Sequence, residues 1–183
     1  MTAIGTRFFF PDNTVLINFG HINRVPLLGR LSPNFTWCEV IAQECAASAR
    51  QPGLASLNLA GQVLGQPWLP TTRERELTFE LRSEMMKPGD GPTKHLGEAE
   101  TIAIITTRKT FAIFVTDDHG AARAARANNI KVITTWDLLA AAHRRGHLSL
   151  QDAYTDAQTL DSLGRGWPPC AHDLAGFTAW IQR

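Results

Sequence analysis

The chain has 183 residues, 44% of them hydrophobic, and a formal net charge of +1. That length suits one domain with a substantial core. The near-neutral balance excludes a protein that grips a polyanion through a global basic field, so any contact with nucleic acid must come from a local patch.

Arg7-Phe8-Phe9-Phe10 reads as a first strand, stopped by Pro11-Asp12, and Val15-Leu16-Ile17-Asn18-Phe19 begins a helix that Asn13 or Thr14 caps. This apolar run is too short for a signal peptide or a membrane span. Asp12, taken alone, is explained as a turn or cap residue. Val25 to Leu31, with Pro26 and Gly29, reads as a linker or short helical turn. Pro33 to Arg50 reads as helix, with Trp37, Val40, Ile41, Glu44 and Cys45 at three- and four-residue spacing. Glu44 therefore lies on or beside the apolar face, and Glu39 nearer the opposite one. A carboxylate on such a stripe calls for a partner, a metal or a route to solvent. Cys38, Cys45 and Cys170 form no CxxC pair, and an odd count at irregular spacing is the pattern of reduced thiols in a cytosolic protein.

Pro52-Gly53 ends that helix, Leu54 to Leu64 forms a shorter one, and Pro67-Trp68-Leu69-Pro70 is at best an edge strand. Thr71 or Thr72 opens a helix striped by Leu77, Leu81 and Met85, whose alternating charges from Arg73 to Arg82 read as a solvated face. Lys87 to Pro92 is a loop. Leu96-Gly97-Glu98-Ala99-Glu100 then opens a buried helix that ends near Arg108-Lys109. Acids in a first turn meet the positive end of the helix dipole, and Gly97 leaves room for another group to approach.

Phe111 to Leu139 carries the clearest pattern. Ala112 to Val115 is a short buried strand that stops at Thr116-Asp117-Asp118. A helix follows, with Ala121, Ala122, Ala124 and Ala125 packed closely and Arg123 and Arg126 facing out, and Asn128-Asn129 closes it. Ile130 to Ile133 is the next strand, and Thr135 caps a helix from Trp136. That helix turns basic at His143, Arg144, Arg145 and His147, which suits either its dipole or contact with phosphate. Gly146 breaks the helix and no Glu follows His143, so no HExxH zinc site forms. Leu148 to Leu163 is a further helix capped by Ser149. After the Gly164 to Pro169 loop, Leu174 to Ile181 is a terminal apolar segment whose Phe177 and Trp180 dock on the body or on a partner. The chain thus divides into a domain over 1–163 and a tail over 164–183.

Ligands of open parallel α/β sheets bind beyond the carboxyl ends of the strands. Asp12 and Asp117 each end a strand, Glu98 starts a helix that leads to the same edge, and Glu44 faces inward. Carboxylates converging there repel one another unless a divalent cation joins them, and hard Mg²⁺ or Mn²⁺ suits an all-oxygen set. Such ions bind phosphate oxygens and promote in-line displacement.

The segments FPDNTVLINF, WCEVIAQEC, HLGEAETIAI and FVTDDHGAARAARANNIKVITTWDLL, in that order, resemble the PIN-domain family, in particular its compact VapC-type toxins. The resemblance spans roughly Arg7 to Leu148. It implies a three-layer α/β/α fold with a central, mainly parallel sheet. It implies a Mg²⁺- or Mn²⁺-dependent endoribonuclease that hydrolyses phosphodiesters without a covalent enzyme intermediate. Carried over by position, Asp12, Glu44, Glu98 and Asp117 form the catalytic acids, with Asp12, Glu98, Asp117 and Asp118 as metal ligands. Thr14 and Thr116 fall where the family has supporting hydroxyls. Glu98 stands where many members have Asp, and Glu100 competes with it; Gly97 and the resemblance favour Glu98. Arg123, Arg126, Arg144 and Arg145 are candidates for holding the RNA backbone. A cognate antitoxin, a homodimer and a cytoplasmic location go with such toxins, and no membrane partner does.

Two other classes fit parts of the pattern. A PIN-like module without catalysis would bind RNA or protein as an adaptor. A receiver-type phosphoacceptor needs an acid pair after its first strand and a lysine after its last, whereas here Asp12 stands alone and Thr134-Thr135 follow Ile133.

Overall fold

Three short strands share one parallel sheet in the order β1 (Phe8–Pro11), β2 (Ala112–Val115), β3 (Lys131–Ile133). The computed structural model describes residues 6–169 and 173–183, so Cys170 lies outside the described residues; Cys38 and Cys45 are free, buried thiols. The register pairs Pro11 with Val115 and Val115 with Ile133, so all three strands end at one edge.

Between β1 and β2 run α1 (Asn13–His21), α2 (Val25–Leu31), α3 (Glu39–Ser48), a 3-10 turn (Ala55–Leu59), α4 (Ala60–Leu64), α5 (Thr72–Met85) and α6 (Leu96–Thr107). Helix α7 (His119–Ala127) joins β2 to β3, and α8 (Thr135–Arg144), α9 (Leu150–Ser162) and α10 (Leu174–Ile181) follow. Strand alternation sorts these helices into two layers. Phe10 and Phe114 face Ala99, Ile102, Ala121 and Ala125 of α6 and α7, with Leu81 of α5. Ile113 and Val115 face the opposite way, toward Val15, Leu16 and Phe19 of α1 and Leu138 and Leu139 of α8. The result is the expected three-layer α/β/α architecture. Phe177 and Ile181 of α10 are fully buried in the second layer, so the terminal helix packs on the body.

Three local readings are corrected. Residues 34–36 are extended rather than helical: Phe9 N–H donates to the Asn34 carbonyl at 3.0 Å, and Thr36 N–H donates to the Phe9 carbonyl at 2.9 Å. Phe35 and Phe9 stack at 5.0 Å there. Pro33 and the aromatic and β-branched residues after it favour that extended edge, and the helix starts only after Cys38. The caps also shift by one or two residues. Asp12, not Asn13 or Thr14, caps α1, and Thr134 caps α8 in a capping box with Asp137.

The charged helix α5 is not wholly solvated. Glu74 is 1% exposed and is gripped by Arg108 Nε at 2.8 Å and Nη2 at 2.9 Å, while it also closes a capping box with Thr71. The Arg108 hydrogen bonds hold its carboxyl at about 2. A folded-state value below the unfolded one means stability that is present above the unfolded value and is lost as the pH falls from about 4.5 toward 2. Arg108→Ala leaves a buried carboxylate half-paired. We expect a loss of about 1–3 kcal/mol at pH 7 and a flatter stability profile between those two pH values, measured by urea unfolding.

Candidate active site

The site is built where the strands stop. Asp12 follows β1 directly, its N–H bonded to the Val115 carbonyl at 2.9 Å. Its Oδ1 accepts from Val15 N–H at 2.8 Å, which caps α1, and its Oδ2 accepts from the Thr116 hydroxyl. Asp12 is 2% exposed. Burial pushes its carboxyl up to about 8, with the charges of Asp117 and Glu98 adding to the rise and the Thr116 and Val15 hydrogen bonds opposing it.

The two acids after Thr116 do different work. Asp118 caps α7 by accepting from Ala121 N–H at 2.7 Å, and its own N–H donates to Thr116 Oγ1 at 3.1 Å. Asp117 meets the start of α8. It accepts from Thr135 N–H at 2.9 Å, from the Thr135 hydroxyl at 2.5 Å and from Asn18 Nδ2 at 2.9 Å.

Helices α3 and α6 bring the remaining acids. They approach closely at Gly97, where an added Cβ would lie 2.5 Å from Ile41 Cδ1 and 3.3 Å from Glu44 Oε2. Glu44 therefore stands beside Glu98. Burial raises the Glu44 carboxyl to about 7, helped by the Glu98 and Glu100 charges and opposed by Lys94. Glu100 turns the other way: it is 3% exposed and its Oε1 caps α3 by accepting from Val40 N–H at 3.0 Å. Asp12, Thr14, Glu44, Lys94, His95 and Glu98 line one cavity of about 240 Å³.

A larger cleft of about 640 Å³ adjoins it, lined by Lys87, His95, Asp117, Asp118, His119 and Arg123 among others. His95 belongs to both walls. Its backbone is left-handed at φ 62°, its Nδ1 lies 3.7 Å from Glu98 Oε1, and its Nε2 lies 3.7 Å from Asp90 Oδ2.

The structure thus brings Asp12, Glu44 and Glu98 to one cavity, with Asp117, Asp118 and Arg123 in the adjoining cleft. It does not bring Arg144 and Arg145 there. Both stand at the end of α8 remote from Asp117, roughly 15 Å along the helix from Thr135. Arg145 donates to the Leu31 carbonyl at the end of α2, and Arg144 to the Ile181 carbonyl at the end of α10 at 3.4 Å. They serve helix termini rather than the acidic edge. Arg126 is exposed in the last turn of α7 and lines neither cavity. Asn18, Thr135, His95 and Arg165 were not legible as site residues. Asn18 had one signal, a polar residue inside the apolar run of α1, and it is 1% exposed.

Among the described residues no three acid, histidine or cysteine side chains already stand close enough to grip one ion. The donor chemistry nevertheless fits a hard divalent cation: the acids offer oxygens only, and burial, with mutual repulsion adding to it, pushes two of their carboxyls up, Asp12 to about 8 and Glu44 to about 7. A dication relieves that crowding.

This crowding has a pH signature. The folded-state values of Asp12 and Glu44 lie above their unfolded ones, so the stability they contribute is present at low pH and is lost as the pH rises from about 4 toward 8. Glu44→Gln removes one crowded charge without breaking a cap. We expect it to raise the melting temperature of the metal-free protein at pH 8 by about 2–4 °C and to change it little at pH 4, by calorimetry. Gly97→Ala, which drives a methyl into Ile41 and toward Glu44, is expected to cost about 1–3 kcal/mol.

A PIN-domain family model matches residues 9–163. No curated protein and no solved structure matches the chain. Among the described residues, no helix is long and apolar enough to cross a membrane. The parallel three-stranded sheet, the acids gathered at its carboxyl edge and the match over most of the length agree: the chain belongs to the PIN-domain family, whose fold is in general that of metal-using nucleases.

Proposed function

We propose that the protein is a Mg²⁺- or Mn²⁺-dependent endoribonuclease acting as the toxin of a toxin–antitoxin pair in the cytoplasm. The observation that carries the nuclease reading is the cavity shared by Asp12, Glu44 and Glu98 at the strand ends, beside a cleft that mixes acids with Lys87 and Arg123. Asp12, Glu98, Asp117 and Asp118 would hold the cation, with Glu44 the further catalytic acid beside Glu98. When bound, the cation polarises the phosphodiester and eases deprotonation of the attacking water.

The protein supplies orientation and charge. Thr116 and Val15 hold both oxygens of Asp12, so that carboxyl cannot swing away. Asn18 and Thr135 hold Asp117 in the same manner. Glu44 and Glu98 accept no hydrogen bond from the described residues and remain open to a ligand. Arg123 and Lys87 offset the repulsion that the acids exert on an RNA phosphate, and such contacts position RNA without choosing its sequence. The toxin role, with a cognate antitoxin and a homodimer as partners, follows from the resemblance of the four motif segments to VapC-type members. The adaptor reading draws on the capping roles of Asp117 and Asp118, which a fold without catalysis would retain.

One RNA and four proteins separate these readings. Wild type is expected to cut the RNA with Mg²⁺ or Mn²⁺ and to stop in EDTA. In single-turnover assays Asp12→Asn and Glu98→Gln should abolish cleavage, whereas Glu100→Gln should keep most of it, because a glutamine oxygen still accepts from Val40. Cleavage unchanged in EDTA would sink the metal mechanism, and no cleavage under any metal would leave the adaptor. A dead Glu100→Gln beside an active Glu98→Gln would reassign the ligand.

A further inference from the structure

Arg165 lies beyond the family-matched stretch, in the loop after α9. The loop is shaped to place it. At the end of α9 Gly164 N–H bonds to the Asp161 carbonyl at 2.8 Å and Arg165 N–H to the Leu160 carbonyl at 2.9 Å. Gly164 (φ +67°) and Gly166 (φ +93°), on either side, both take backbone conformations that side chains rarely adopt. The chain reverses there, and the Arg165 side chain runs onto α1. Its Nε donates to Asn18 Oδ1 at 2.7 Å and its Nη2 to the Thr14 carbonyl at 3.2 Å. Asn18 in turn donates to Asp117. A continuous path of hydrogen bonds therefore links Arg165 to a strand-end acid.

A guanidinium has five donors, and these two bonds use two of them. Arg165 also lines a third cavity, of about 260 Å³, together with Thr14, Asn18, Asp117, Asp118 and Gly164. Arg165 shares this cavity with two carboxylates, yet it makes no ion pair with either among the described residues. Its charge is presented to the cavity rather than neutralised. Arg123 and Lys87 belong to the separate, larger cleft beyond Asp117 and Asp118. The acids thus have cations on two sides.

We propose that Arg165 is a phosphate-contacting residue that holds an RNA phosphate next to the scissile one, in the α1-side cavity. The proposal rests on the nuclease reading above and adds to it a residue from outside the matched domain. A polyanion approaching clustered carboxylates needs a cation close to the reacting group, and arginine offers a planar fork suited to phosphate oxygens. The two bonds to α1 fix that fork beforehand, so less side-chain freedom is lost on binding.

The test is RNA binding under conditions without turnover. Anisotropy of a labelled single-stranded RNA, with Ca²⁺ replacing Mg²⁺ or Mn²⁺, is measured against salt for wild type, Arg165→Gln and Arg165→Lys. Loss of one phosphate contact lowers the slope of log K against log salt by about 0.7 for a single strand. We expect that change, with several-fold weaker binding, for Arg165→Gln, and a wild-type slope for Arg165→Lys, which keeps the charge. An unchanged slope in Arg165→Gln, with only a lower melting temperature, assigns Arg165 to strapping the tail onto α1 and overturns the proposal. Should Arg165→Gln not fold, wild-type protein treated with phenylglyoxal decides: RNA should protect Arg165, and equal modification with and without RNA overturns the proposal. Wild type that neither binds nor cuts RNA overturns the nuclease reading and this proposal together. Wild type that cuts, beside an Arg165→Gln of unchanged slope, overturns this proposal alone.

Discussion

Carboxylates can crowd the mouth of this sheet because helix N-termini meet them there. Asp12 caps α1, Asp118 caps α7, Asp117 accepts from the first residue of α8, and Glu100 accepts from the first turn of α3. Each helix start carries unpaired N–H groups and a partial positive charge, so each can hold an anion that water would otherwise have to solvate. For the three aspartates the βαβ layout accounts for this: a parallel strand that ends and a helix that begins place their termini on one edge. Thr116 ties the set together by donating to Asp12 and accepting from the Asp118 amide.

This arrangement separates the acids by how much of their hydrogen-bonding capacity is already used. Asp117, Asp118 and Glu100 are engaged by backbone N–H groups. Glu44 and Glu98 come from two helices that touch at Gly97, and neither has a backbone donor for its side chain. With no hydrogen bond to oppose it, burial, helped by the charges of Glu98 and Glu100, raises Glu44 far. Asp12 belongs to both groups, capped and yet raised, because its burial outweighs two hydrogen bonds. A cap role and a ligand role therefore do not compete at Asp12, since a carboxylate has lone pairs beyond those two bonds.

Much of this was legible from residue order alone. Short apolar runs stopped by acids marked β1 and β2, and the Ala-rich stretch with Asn128-Asn129 marked α7. The choice between Glu98 and Glu100 was not legible from periodicity, because both are followed four residues later by isoleucine. Tertiary contact places the two differently, since Glu100 accepts from Val40 at the N-terminus of α3 while Glu98 lines the cavity with Asp12. Residues 34–36 misled for a similar reason: their pairing partner, Phe9, lies far back in the chain. Arg144 and Arg145 looked like a phosphate patch because clustering in sequence was visible, whereas their position at the wrong end of α8 was not. Glu74 hid among alternating charges for the same reason, its partner Arg108 being 34 positions away.

Arg165 shows what a domain boundary drawn from motifs leaves out. A motif match ends where the recurring pattern ends, but an electrostatic site ends where its field is balanced. Asp12, Glu44, Glu98, Asp117 and Asp118 gather five acids at one edge of a chain whose net charge is +1, and cations stand among them. Lys94 opposes the rise of Glu44 from within the first cavity, and Arg123 and Lys87 line the second. On the α1 side, the lining of the cavity next to Asp117 includes one cation, Arg165, and only the two glycines beside it allow the turn that brings it there. The loop after α9 is therefore best counted with the site, because among the described residues lining this flank Arg165 is the cation that stands beside Asp117 and Asp118.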